Sequence, residues 1–193
     1  MPTRDMILEA LAEAVAQVEI VIQSERLYVR PWKESDLQAF HLVMSDPAVH
    51  TYTNEEPWTI ETTKAVMDWL KQHKQGWEWE PGYFNCPLIL RSEGRLIGRV
   101  GLNPFQEEKR IPEIEWTLGP EHWGKGYATE IGRAILSYGF EQAGFEEIMG
   151  FAFPQHVASK KVMQKIGMAY IGDKEYRERT WSFYRINKVD WDK

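Results

Sequence analysis

Ile7, Leu11, Ala14, Val15 and Val18 recur near the helical period with acids between them, so "RDMILEALAEAVAQVEI" predicts an amphipathic helix at the head of the chain. Leu27 and Val29 then alternate with polar neighbours in "SERLYVRPW", a strand signal stopped by Pro31. Two helices follow. The first is "ESDLQAFHLVMSD", which Ser35 or Asp36 can cap; the second is "TIETTKAVMDWLKQHKQG", opened by Thr59 and closed near Gly76. "WEWEPGYFN" reads as a loop whose aromatic residues line a pocket or cover the core.

From there "YFNCPLILRSEGRLIGRVGLNPF" reads as strand, "EG" turn and strand, a hairpin signal, and "IPEIEWTL" adds a further strand. A glycine-rich loop leads into the helix "YATEIGRAILSYGFEQA". Then come a strand in "FEEIMGFAF", a helix in "HVASKKVMQKIGM" that stops at Gly167, and a last strand in "WSFYRINKVDW". Antiparallel hairpins first and a strand–helix–strand unit afterwards predict an α/β fold with a mixed sheet. No repeat, low-complexity run or linker divides the chain, so the expected organisation is an N-terminal helical extension over 1–22 and one domain over 23–193. The extension is expected to pack on its own domain, with a homodimer contact as the alternative.

Composition narrows the functional classes. A net charge of -6 lacks the basic excess that a phosphate backbone demands, which argues against nucleic acid as a partner. No run approaches the roughly 18 apolar residues of a membrane helix, and early acids at Asp5, Glu9, Glu13 and Glu19 argue against a signal or transit peptide. The single cysteine, Cys86, permits no internal disulfide and starts an apolar strand, so a buried structural thiol in a cytoplasmic protein is expected. The 5 histidines show no metal-ligand spacing, and no metal is expected.

The candidate chemistry begins at "GPEHWGKGYATEIGRAILSYGF". Strand, glycine loop and helix in that order bring free backbone N–H groups and the positive end of a helix dipole to one spot, which makes an anion site. Lys125 is followed by Gly126 where a Walker A loop needs Ser or Thr, and Thr129 stands where a dinucleotide fingerprint needs its third glycine. Both nucleotide readings therefore fail.

Extended back to "EIEWTL", the segment closely resembles the acetyl-CoA-binding motif of the GNAT superfamily of N-acetyltransferases, and the nearest branch looks like the ribosomal-protein N-acetyltransferases. "SERLYVRPWKESDLQAF", "LIGRVGL", "ASKKVMQKIGM" and "WSFYRINKVDW" match in the family's order, so the resemblance covers roughly residues 24 to 191. It implies a splayed, mixed, mostly antiparallel sheet flanked by helices, with "IPEIEWTL" and "FEEIMGFAF" parallel and parting around the pantetheine arm. It also implies acetyl-CoA as co-substrate, held by Trp123, Gly124, Lys125, Gly126, Tyr127, Ala128 and Thr129 at the pyrophosphate. Glu121 departs from the Gln or Arg often found there and should point to solvent.

Acetylating an amine needs a base, a polarised thioester carbonyl and help for the leaving thiolate. The resemblance places the base at Glu113. Strand alternation puts Glu115 and Thr117 on the same face as Glu113, so one carboxyl should be pushed towards a higher pKa by the other. Freed N–H groups near Trp116, Thr117 and Leu118 would polarise the carbonyl. Met163 occupies the position of the superfamily's usual tyrosine acid, which leaves Ser159 to assist the thiolate, unless it merely caps its helix. His156 replaces an asparagine and could donate to pantetheine, and Glu178 is a further candidate base. The expected activity is transfer to a primary amine, a protein N-terminus or a small molecule, by direct attack in a ternary complex. The alternative is a non-catalytic acyl-CoA-binding module.

Overall fold

A computed structural model describes residues 22–52, 55–72, 82–105 and 111–191. The N-terminal helix predicted over residues 4–20 and the loop "WEWEP" lie outside them.

Among the described residues, eight strands form one sheet. In chain order they are β1 Ile22–Gln23, β2 Leu27–Val29, β3 Phe84–Leu90, β4 Arg95–Pro104, β5 Pro112–Leu118, β6 Glu147–Ala152, β7 Ala169–Tyr176 and β8 Arg179–Asn187. Their order across the sheet is β1-β2-β3-β4-β5-β6-β8-β7. Every neighbouring pair is antiparallel except β5 with β6. The helices are α1 Leu37–Met44, α2 Ile60–Gln72, α3 Tyr127–Ser137, α4 Val157–Lys165 and α5 Lys188–Trp191.

Alternation along the strands builds two apolar faces. Leu88 and Leu90 of β3 join Ile131, Ile135 and Leu136 of α3 and Met163 of α4 in the main core. Ile89, one residue out of phase, faces the other way onto Phe40 and Met44 of α1 and Met67 of α2. On that second face Met149, Phe183, Tyr176 and Phe105 form a separate aromatic cluster. Between the two clusters of the second face, β3, β4 and β5 carry a polar strip.

The bulge in β4 matters for the site. Leu88 pairs with Gly98 and Ile89 with Leu96, which leaves Ile97 as the extra residue. Its carbonyl accepts the Gly119 N–H at 3.0 Å, fixing where β5 ends and the glycine loop begins.

Several local features differ from the sequence pattern, and one matches it. Asp36 does not cap α1 through the helix N–H groups; its carboxylate takes both Arg30 guanidinium nitrogens at 2.7 Å and the Lys33 N–H at 2.8 Å. Thr59 does cap α2, accepting the Thr62 N–H at 3.2 Å. The helix after the glycine loop ends as a π-helical turn over Tyr138–Gln142. The last strand stops at Asn187 and turns into α5, and β7 is an additional edge strand.

Candidate active site

β5 pairs with β4 along its whole length, from Gly98↔Leu118 to Pro104↔Pro112. β5 meets β6 at a single rung, Glu113↔Met149. Beyond it the parallel strands part. Backbone polar groups alternate sides along a strand, and the Gly119 N–H points at β4. The N–H groups of Trp116 and Leu118 therefore face the opening, while those of Glu115 and Thr117 face β4. The Leu118 carbonyl is capped by the exposed Trp123, whose Nε1 donates at 2.7 Å.

The loop then delivers a helix terminus to the same place. Gly124 has φ 72° and Gly126 φ 82°, both in the left-handed region that side chains resist. Gly126 is the N-cap of α3 and offers no side chain, so the N–H groups of Tyr127, Ala128 and Thr129 precede the first helical bond, Glu130 to Gly126 at 3.0 Å. A Cβ on Gly124 would meet open space. These features fit a pyrophosphate. Lys125 is exposed, and so is Glu121, whose Oε1 lies 3.3 Å from Nε2 of the buried His122.

On the second face, Glu113, Glu115 and Thr117 emerge from β5 beside Asn103 and Arg99 of β4 and Asn85 of β3. Glu115 pairs with Arg99 at 2.5 Å and accepts from Asn103 Nδ2 at 2.7 Å, so it is a fixed, partnered carboxylate rather than a solvated one. Burial pushes the Glu113 carboxyl up to about 8, and the Glu115 charge adds to the shift; Arg177 and Arg99 oppose it. Arg177 and Glu178 form the tip of the β7–β8 hairpin with φ 51° and 61°, and Glu178 is exposed.

Across the opening stands α4. Ser159 lies in its first turn, half-buried, with no hydrogen-bond partner among the described residues, so its hydroxyl is not spent on capping. His156 is the N-cap residue, stacked on Tyr52 at 4.2 Å between ring centroids. Burial holds its pKa below the ordinary histidine range, and its Nδ1 is buried without a partner. Met163 is buried in the core. Cys86 is far from nucleophilic, because burial pushes its thiol up to about 12.

Three groups lay outside the sequence reading: Arg99 and Asn103, which hold Glu115, and Arg26, which reaches the glycine loop from the turn between β1 and β2. The first two sit on the polar phase of β4, a signal that alternation carries. Nothing local flags Arg26.

With this geometry established, comparison with known proteins assigns the class. Residues 26–169 match the Acetyltransferase (GNAT) domain, and the chain belongs to that family of acetyltransferases. It is 35% identical over 147 residues to the N-acetyltransferase YnaD of Bacillus subtilis (strain 168), spanning 76% of this chain and 81% of that protein. The crystal structure of a GNAT-family acetyltransferase from Bacillus anthracis superposes with a TM-score of 0.74 at 30% identity, covering 87% of this chain and 98% of the other. Spermidine N(1)-acetyltransferase of Escherichia coli (strain K12) is 23% identical over 145 residues, 75% of this chain and 74% of that protein. The protein is an N-acetyltransferase of mixed α/β fold, and no helix among the described residues is long and apolar enough to cross a membrane.

Proposed function

We propose that the protein moves an acetyl group from acetyl-CoA to a primary amine by direct attack, with Glu113 as the general base. The observation that carries this is the position of Glu113: it stands on the rung where β5 and β6 part, with its carboxyl shifted towards neutrality. An amine arriving as ammonium must lose a proton, and a base whose pKa lies near the working pH accepts one most effectively.

Acetyl-CoA supplies a thioester whose carbonyl carbon bonds to the amine nitrogen as the C–S bond breaks. The N–H groups of Tyr127, Ala128 and Thr129, with the loop from Trp123 to Gly126, bind the pyrophosphate. Trp116 and Leu118 direct N–H groups into the opening, where pantetheine and the carbonyl oxygen can accept them. Ser159 donates a hydrogen bond to the departing sulfur, and His156 lines the arm's far wall. Glu113 takes the amine proton directly or through water, and that proton returns to solvent while the thiolate is protonated.

The acceptor is a small-molecule amine or a protein N-terminus. The polyamine acted on by the Escherichia coli relative makes spermidine the first compound to try. The test is calorimetric titration with acetyl-CoA followed by assay of amine-dependent thiol release. Saturable one-to-one binding, with release lost in Glu113→Gln while CoA affinity is kept, is the expected result. No binding by the wild type, or release unchanged in Glu113→Gln, overturns the reading.

A further inference from the structure

The anion loop carries an electrostatic difficulty of its own making. Glu130 lies in the first turn of α3, the turn whose free N–H groups face the ligand, and a carboxylate there competes with a pyrophosphate for the same positive potential. Its side chain is 19% exposed, so water screens it only in part. The structure resolves the difficulty with a residue 104 positions away in the chain.

Arg26, at the turn between β1 and β2, donates from Nε to Glu130 Oε2 at 2.6 Å and from its backbone N–H to Oε1 at 2.8 Å. Ser24 adds a hydrogen bond to Oε1 at 2.7 Å. The same guanidinium donates from Nη1 to the Lys125 carbonyl at 3.1 Å and covers the Tyr127 ring, its Cζ lying 4.6 Å from the centroid. Its Nη2 lies 3.5 Å from where a Cβ on Gly126 would stand. One planar cation thus grips a carbonyl in the loop, a ring at the helix start and a carboxylate in the first turn. A lysine could not, since the fork geometry serves two acceptors at once.

We infer that Arg26 is a positioning residue for acetyl-CoA: it holds the Lys125–Gly126 backbone so that the loop's N–H groups turn outward, and it cancels the Glu130 charge beside the bound pyrophosphate. This rests on the reading of the loop as the CoA site. Burial alone would raise the Glu130 carboxyl, but the hydrogen bonds from Ser24 and Arg26 hold it below the ordinary carboxylate range, so the charge to be cancelled is present at neutral pH.

The two members of the pair should act on CoA in opposite directions, which a simple brace would not produce. Arg26→Ala removes the grip and leaves the carboxylate uncompensated, and should weaken CoA about tenfold. Glu130→Gln still accepts from Ser24 and the Arg26 backbone, but leaves the guanidinium charge free to favour the anion; CoA should bind about two- to fivefold tighter, and less so at high salt. Arg26→Lys should fall between Arg26→Ala and wild type. Calorimetric titration with CoA at two salt concentrations reads all three, with ligand-free thermal melting to show that each variant is folded. If Arg26→Ala does not fold, the sign of the Glu130→Gln effect still decides. Both substitutions weakening CoA alike, or both leaving it within twofold of wild type, would overturn the inference while wild-type binding keeps the CoA reading intact. Failure of the wild type to bind CoA would instead overturn that underlying reading.

Discussion

Glu113 of β5 stands opposite Met149 of β6 on the one rung the two parallel strands share, so the fold places this carboxyl at the apex of the opening. The apex is buried enough to push the carboxyl up to about 8, and the neighbouring Glu115 adds to the shift. A base must be ionised to work, so amine-dependent turnover should rise with pH and level off above about 8. Glu113→Gln should abolish that rise and lower kcat by about 10² to 10⁴, measured as thiol release across pH 6 to 10.

Glu115→Gln tests the coupling. Removing the like charge, and leaving Arg99 unpaired beside Glu113, both favour the ionised form. The rising limb of the pH profile should move to lower pH with most of kcat retained. An unmoved limb would show that Glu115 does not influence the base.

The same shift has a consequence for stability. Because the folded pKa of Glu113 is raised, the folded state keeps a proton that the unfolded chain has already released, and its stabilising contribution is lost as pH climbs towards about 8. Urea unfolding should therefore show stability falling between pH 5 and 8, by up to about 1.4 kcal/mol per pH unit from this group. Glu113→Gln should flatten that dependence.

Gly124 separates binding from folding. Its φ of 72° makes any side chain strained, yet a Cβ there meets open space rather than packed atoms. Gly124→Val should cost about 1 to 2 kcal/mol of stability while sharply reducing CoA affinity, seen by melting and calorimetry on the same sample.

Tyr52 covers His156 at the start of α4, and burial holds the imidazole below the ordinary range. Tyr52→Ala should expose the ring and let its pKa rise towards about 6.5, read from the His156 ring protons by NMR titration. Elsewhere, the buried Arg30–Asp36 pair should show the cost of a lone internal charge: Asp36→Ala should lose about 3 to 5 kcal/mol in urea, whereas Lys64→Ala, at an exposed pair with Asp68, should change little.

Much of the fold was legible because burial imprints itself as periodicity. Leu88, Ile89 and Leu90 each face a packed layer, so β3 reads as a continuous apolar run between turns. β7 carries no such signature for the opposite reason: "AYIGDKEY" is an edge strand exposed along nearly all its length, so neither face demands apolar residues. Asp36 looked like a cap because its neighbours in sequence allow one; Arg30, arriving through the tertiary fold, claims the carboxylate instead.

The candidate site divides in the same way. The sequence by itself determined the glycine loop, the helix it opens and the shared face of Glu113 and Glu115, because backbone conformation and strand alternation are local consequences of residue type. Only the tertiary structure decided that β5 and β6 part after one rung, that Arg99 and Asn103 hold Glu115, and that Arg26 reaches Glu130 across 104 residues. Those relationships depend on which strands become neighbours. Nothing in the short-range pattern of either segment encodes the distance between them, whereas the cost of leaving a charge or a backbone N–H unpaired in the folded chain settles it.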